Sequence, residues 1–160
     1  MFQPGEIVHG FVSGLGFRNP KNKYLITLYR DENLEVVACF TTSQHYYGVP
    51  EELVKHGAIC RNGEYYSYVF DKDVVIGVNP EDGSDFAFPK RTTVTFNYGI
   101  RQGYMGDFAD GMQNIRTVCV LNKEEFGNLL YAMYKSPEMD LAYKPYLEKS
   151  LQSLYNEPEN

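Results

Sequence analysis

The chain has 160 residues, 43% of them apolar and 22% charged, and a net charge of −6. That length and balance fit one folded domain with a real core and exclude a disordered chain. The acidic balance also excludes a general nucleic-acid coat, although a local basic patch is still able to grip one strand.

Pro4-Gly5 opens a first strand over residues 6–12, in which Ile7 alternates with polar neighbours. Ser13-Gly14-Leu15-Gly16 begins a loop that runs to Pro20 and Lys21. An apolar strand over residues 24–29 follows. Asp31-Glu32-Asn33 turns the chain, and a second strand over residues 34–40 completes a hairpin. Residues 44–50 read as a loop, and residues 51–55 as one helical turn. Asn62-Gly63 predicts a type I′ hairpin turn between residues 58–60 and a Tyr-rich strand over residues 65–70. Residues 74–78 are an apolar run and residues 79–85 a loop by composition. Residues 91–98 alternate like a strand, residues 99–111 read as a long glycine-containing loop or irregular edge, and residues 115–121 as a last strand.

The period then changes. Asn122 is a helix cap with Glu125 in the capping-box position. Phe126, Leu129, Leu130, Met133 and Tyr134 form a helical stripe, ended by Ser136-Pro137. Leu147, Leu151, Leu154 and Tyr155 make a second stripe after Pro145. The 14 Tyr and 10 Phe, with no Trp, suit half-buried strands. The expectation is a mostly β, α+β domain over residues 1–156. Residues 1–121 form a small, strongly bent antiparallel sheet or barrel, and residues 122–156 pack on it as one or two helices. Residues 157–160 fray.

Cys39, Cys60 and Cys119 are too few and too scattered for a disulfide framework, and no spacing suggests zinc. They read as buried thiols in a reducing cytoplasm. MFQPGEIVHG lacks a signal-peptide pattern, and no apolar run reaches the ~18 residues that a membrane span needs. The acidic residues between 71 and 85 lack EF-hand spacing, and Gly14-Leu15-Gly16 is no nucleotide motif.

The chemistry concentrates between Arg18 and Ser43. In an antiparallel hairpin the start of the first strand lies beside the end of the second. Lys21 and Lys23 are thereby placed near Thr41, Thr42 and Ser43, and cations facing hydroxyls make a candidate phosphate site. Each residue also has an ordinary reading. Basic residues guard sheet edges, and Thr favours strands. Tyr46 and Tyr47 are candidates to stack on unpaired bases or to cover the core. Lys90, Arg91 and Arg101 form a second basic group that is either an extension of a phosphate track or solvated surface.

These residues resemble the PemK/MazF-like toxins of toxin–antitoxin systems. The opening Pro4-Gly5-Glu6-Ile7-Val8, the basic entry Lys21-Asn22-Lys23-Tyr24-Leu25-Ile26 and the strand end Phe40-Thr41-Thr42-Ser43 carry the resemblance over about the first 45 residues. The family has arginine-proline where this chain has Lys23-Tyr24, so a planar fork is replaced by a point charge. The resemblance implies an SH3-like barrel with a C-terminal helix and a metal-independent endoribonuclease acting on single-stranded RNA without a cofactor. It also implies a partner antitoxin and a homodimer. The implied catalytic group is Lys23, Thr41 and Thr42, with His45 as the candidate acid or base on the same loop. Arg18, Lys21, Ser43, Tyr46 and Tyr47 would hold substrate. His9, mid-strand, and His56, on a surface turn, are weaker candidates. The alternative is a non-catalytic SH3-like module that binds a protein, a peptide or a nucleic-acid strand.

Overall fold

The structure is a computed structural model, and it describes residues 1–43 and 51–156. Seven antiparallel strands form the main sheet in the order β7-β6-β10-β1-β2-β3-β9. They are β1 (Glu6–Val12), β2 (Lys21–Arg30), β3 (Glu35–Phe40), β6 (Gly77–Val78), β7 (Asp85–Phe86), β9 (Ile100–Tyr104) and β10 (Met112–Leu121). A second sheet has the order β4-β5-β8, from β4 (Gly57–Arg61), β5 (Glu64–Phe70) and β8 (Thr92–Thr95). A bridge between Thr42 and Thr93 joins the end of β3 to β8. The expected bent antiparallel sheet is present. The SH3-like barrel is not, because β7 and β9 remain as open edges of the main sheet.

The bend has a local cause. Register shifts fall between Ile7 and Val8 and between His9 and Phe11 in β1, and between Thr27 and Tyr29 in β2. An extra residue in one strand of a pair kinks it and increases its twist. Both faces of the sheet are therefore covered. One carries Ile7, Ile26, Leu28, Val37 and Cys39 against Tyr68, Phe70 and Phe88 and against the C-terminal helices. The other carries Val8, Val12, Leu25, Ala38 and Phe40 against Phe2, Phe108 and Met112.

The helices sit where the sequence period places them. α2 (Lys123–Lys135) begins at Asn122, whose Oδ1 accepts from the Glu125 amide at 2.8 Å. Phe126, Leu129, Leu130 and Met133 are buried, which stabilises by about 1.5–3 kcal/mol per side chain as an upper bound. α3 (Lys144–Asn156) buries Leu147, while Tyr155 stays exposed. The capping box is only half made. The Asn122 amide donates to Ile76 O, and the Glu125 carboxylate is engaged elsewhere.

Three other expectations change. Leu34 is a turn residue with φ 64°, not the start of β3. Asp31 forms that turn by accepting from the amides of Asn33 and Glu35, each at 2.9 Å. The segment 99–111 is ordered structure, β9 followed by the short helix α1 (Met105–Gly111). Its glycines hide a strand that completes the edge against β3 and a helix that buries Phe108 on Phe2. Cys60 is exposed near the end of edge strand β4, whereas Cys39 and Cys119 are buried, their thiols pushed up to about 12 by burial. The Asn62-Gly63 turn forms as expected, with φ 53° and 79° and Arg61 opposite Glu64. The turn at residues 51–55 is a 3₁₀ turn, Glu51–Leu53. No helix among the described residues is long and apolar enough to cross a membrane.

Candidate anion-binding site

β2 enters the sheet with Lys21 and Lys23 two residues apart, and so on one face. Leu25 continues that face into the core that holds Phe40. The preceding loop folds back and sets Phe17 edge-on to Phe40, with ring centroids 4.8 Å apart. Lys21 Nζ lies 5.1 Å from the Phe17 centroid and Lys23 Nζ 5.6 Å from it. A third cation arrives from β9. Arg101 pairs with Ala38 in the ladder and so shares the face of Phe40. Its guanidinium stands 5.5 Å from Phe17 and 5.6 Å from Phe40.

Arg101 is fixed by two backbone acceptors. Nε donates to Leu15 O at 2.6 Å, and another guanidinium nitrogen donates to Ile100 O at 3.1 Å. Lys23 Nζ donates to Thr41 O at 3.0 Å. Its ammonium is held below the ordinary 10.5, first by burial and then by the positive charge of Lys21. Among the described residues none of the three cations makes an ion pair with a carboxylate.

A pocket of about 260 Å³ adjoins this cluster, and Lys23 belongs to both. Asn22, Ser43, Lys90 and Thr92 supply its other hydrogen-bonding groups, and Tyr24 and Pro89 wall it. No Asp or Glu lines it among the described residues. The Thr42–Thr93 bridge brings Thr92 and Lys90 here, because it ties β8 to the end of β3. Ring cluster and pocket together offer four cations, the Ser43 hydroxyl and an amide to an anion, whereas the Thr92 hydroxyl is already engaged, donating to Lys90 O at 2.9 Å.

No family model, curated protein or solved structure matches this chain. The reading of the site therefore rests on its own residues.

Of the expected neighbourhood, Lys23 lies beside Thr41 and lines the pocket with Ser43, whereas Lys21 stands on the Phe17 ring and outside the pocket lining. Thr41 is buried, and it is its backbone oxygen that meets Lys23. Thr42 exchanges backbone hydrogen bonds with Thr93. Ser43 is exposed and lines the pocket. Arg18 is exposed and is not among the cations on the ring. His45, Tyr46 and Tyr47 lie outside the described residues. The second basic group divides. Lys90 joins the pocket and Arg101 the ring, whereas Arg91 is paired with Glu51 and, at 3.4 Å, with Asp71.

Phe17 was not legible as a site residue. The available signal was an aromatic inside the basic loop, directly before Arg18. Two histidines are placed clearly. His9 packs on Tyr24, ring centroids 4.7 Å apart, and so backs one wall of the pocket. Burial first, and then Arg116, holds its imidazole below 6.5, which keeps it neutral near pH 7. His56 is not a loose surface histidine. Its Nδ1 accepts from the Asp71 amide at 3.0 Å, so Nε2 carries the proton and donates to Glu125 Oε1 at 2.6 Å. Tyr68 donates to the same oxygen at 2.8 Å, and this knot ties the small sheet to α2. Among the described residues no group of three His, Cys, Asp or Glu is placed to hold a metal ion.

Proposed function

We propose that this protein binds a single strand of RNA through its phosphates, at the Phe17 cluster and the pocket beside it. The observation that carries the reading is the convergence of Lys21, Lys23 and Arg101 on one ring without a carboxylate partner among the described residues. Like charges held this close repel one another, and a phosphate oxygen among them removes that cost while gaining charge-assisted hydrogen bonds. Phe17 holds cations near its ring, so it positions charge rather than offering a surface for a base. Ser43 and Asn22 supply the neutral donors and acceptors that a ribose hydroxyl or a base edge needs. A pocket of about 260 Å³ suits one unpaired nucleotide unit rather than a duplex.

A second reading adds cleavage, and the acid-free cations of the pocket favour it. Lys23 and Lys90 would stand beside the charge that grows on phosphorus, whereas His9 packs behind Tyr24 and does not line the pocket, so a base from another position would take the ribose 2′-proton. The 2′-oxygen would bond to phosphorus, the bond to the 5′-oxygen would break, and an acid would return a proton to that oxygen. This reading keeps the metal-independent endoribonuclease of the PemK/MazF-like resemblance, together with an antitoxin partner and a homodimer.

One assay separates the two readings. Purified protein is incubated in EDTA with end-labelled, mixed-sequence single-stranded RNA and resolved on native and denaturing gels. Retained, intact RNA that is released by Lys21→Ala and Lys23→Ala supports binding alone. Shortened RNA whose formation is lost in Lys23→Ala supports cleavage. A folded wild-type protein that leaves RNA both unbound and intact at low salt overturns both.

A further inference from the structure

A second acid-free basic site lies at the other end of the β1–β2 pair. Lys23 and Arg30 are seven residues apart on β2, which separates the two sites by about 20 Å. Here the segment before β1 (Gln3, Pro4 and Gly5), the end of β2, the end of β10, the first turn of α2 and one face of α3 enclose a groove of about 510 Å³. Arg30, Lys123 and Lys149 line it, from three different elements. No Asp or Glu lines it among the described residues. The chain carries 21 acidic residues against 15 Lys and Arg, so an acid-free groove with two lysines from different helices runs against its average.

Each cation is held by something other than a carboxylate. Lys149 Nζ stands 6.0 Å from the rings of both Tyr29 and Tyr146, which pack on each other at 5.0 Å. Lys123 Nζ stands 5.7 Å from the Tyr155 ring. Arg30 makes only a weak contact with Met105 Sδ, at 3.9 Å. None of the three forms an ion pair among the described residues. The rest of the lining divides into two kinds. Ser150 is already engaged, donating to Leu28 O at 2.6 Å, whereas Ser153 is exposed in the groove. Val120, Phe126 and Leu154 supply apolar surface beside the charges.

We propose that this groove binds a small phosphorylated ligand with a ring-shaped, partly apolar body, of the nucleoside-phosphate class. Arg30 points its guanidinium at Met105 on the other face of the sheet, so Lys123 and Lys149 supply the charge of the groove, and two unpaired cations call for more than one negative charge. The apolar lining calls for a body that a bare inorganic anion lacks. The volume lies within the range of about 300–1,000 Å³ usual for small-molecule sites. The site is independent of the Phe17 cluster, because the two share no residue.

The test is isothermal titration of the full chain with ADP, and separately with inorganic phosphate, at low salt. Saturable ADP binding is expected, weakened roughly tenfold by Lys149→Ala, as for the loss of one hydrogen bond to a charged group. Because the Phe17 site would also take phosphate, the titration is repeated in the Lys21→Ala/Lys23→Ala background, where saturable ADP binding should persist and the added Lys123→Ala/Lys149→Ala pair should abolish it. Ser153→Glu, at an exposed position of α3, places a carboxylate in the groove and should also abolish it without disturbing the fold. Circular dichroism confirms that each variant is folded. No saturable ADP binding to folded protein overturns the proposal, as does loss of binding in the Lys21/Lys23 pair instead of the Lys123/Lys149 pair. Inorganic phosphate binding as tightly as ADP overturns the assigned role of the apolar lining.

Discussion

Removing one cation from the Phe17 cluster should change the salt dependence of RNA binding by a calculable step. Lys21 is the suitable position, because it is exposed and its ammonium touches the cluster only through the ring, at 5.1 Å. Each phosphate neutralised on a single strand contributes about −0.7 to the slope of log K against log salt. Three cations on the ring therefore predict a slope of about −2, a loss of roughly 20-fold between about 50 and 200 mM KCl. With Lys21→Ala the slope should fall to about −1.4, and the loss over that range to roughly sevenfold. The measurement is fluorescence anisotropy of a labelled single-stranded RNA across a KCl series, with circular dichroism to confirm the fold. A slope that stays near −2 in the variant would mean that Lys21 meets no phosphate. A wild-type slope near zero would mean that the cluster is not the binding surface at all.

Three further outcomes follow from the packing. The His9 imidazole titrates below 6.5 in the folded chain, so the unfolded chain binds more protons as pH falls through that value. The contribution of His9 to stability should thus be complete above 6.5 and be lost towards acid, and in urea melts between pH 7 and pH 5 His9→Gln should lose less stability than wild type. Gly77 in β6 leaves no room for a side chain, since a Cβ there would stand 2.1 Å from Val120 O. Gly77→Ala should cost about 3 kcal/mol or more by overpacking, whereas Gly106→Ala, in open space on α1, should gain about 0.5–1 kcal/mol, both read from urea midpoints. Glu125 Oε1 accepts from both His56 and Tyr68. Glu125→Ala should cost about 1–3 kcal/mol for the stranded Tyr68 hydroxyl alone, and adding Tyr68→Phe should recover part of that; equal stabilities of the single and double variants would refute the account.

What the sequence made legible is what short range decides. The hairpin of β2 and β3 follows from two apolar runs and a turn with Asp31 at its head. The Asn62-Gly63 turn follows from the tolerance of both residues for positive φ. α2 follows from its stripe and from the Asn122 cap. The remainder depends on which distant elements become neighbours. Residues 99–111 read as a loop because Gly99, Gly103, Gly106 and Gly111 depress every local signal. Their order comes from β3, which pairs with them from sixty-odd residues away in the chain. Arg101 illustrates this at the site. Its backbone partner Leu15 is 86 residues distant in sequence, so no local pattern links it to Phe17. Glu125 carried a correct local signal for a cap and a wrong one for its side chain, because His56 and Tyr68 competed for the carboxylate with the Asn122 amide and won.

The charge distribution gives these separate observations one meaning. A chain with net charge −6 repels a polyanion at a distance, so attraction must come from places where cations stand without acids. Among the described residues lysines also stand near rings without an ion pair at Tyr131 and Tyr134, but the two places that border an acid-free pocket lie at opposite ends of β1 and β2, and both are built in the same way. In each, lysines rest near aromatic rings, and the cations come from elements remote in sequence. An aromatic ring can hold a cation without neutralising it, whereas a carboxylate holds and neutralises at once. Arg91 shows the second arrangement in the same molecule, where Glu51 and Asp71 pair with its charge beside the pocket that Lys90 keeps open. Lys21, Lys23, Arg101, Lys123 and Lys149 show the first, and their charge stays available to a ligand. Mere solubility requires no such segregation, since mixed charges serve it as well. The segregation is what an acidic protein needs if it is to bind anions at confined places on its surface.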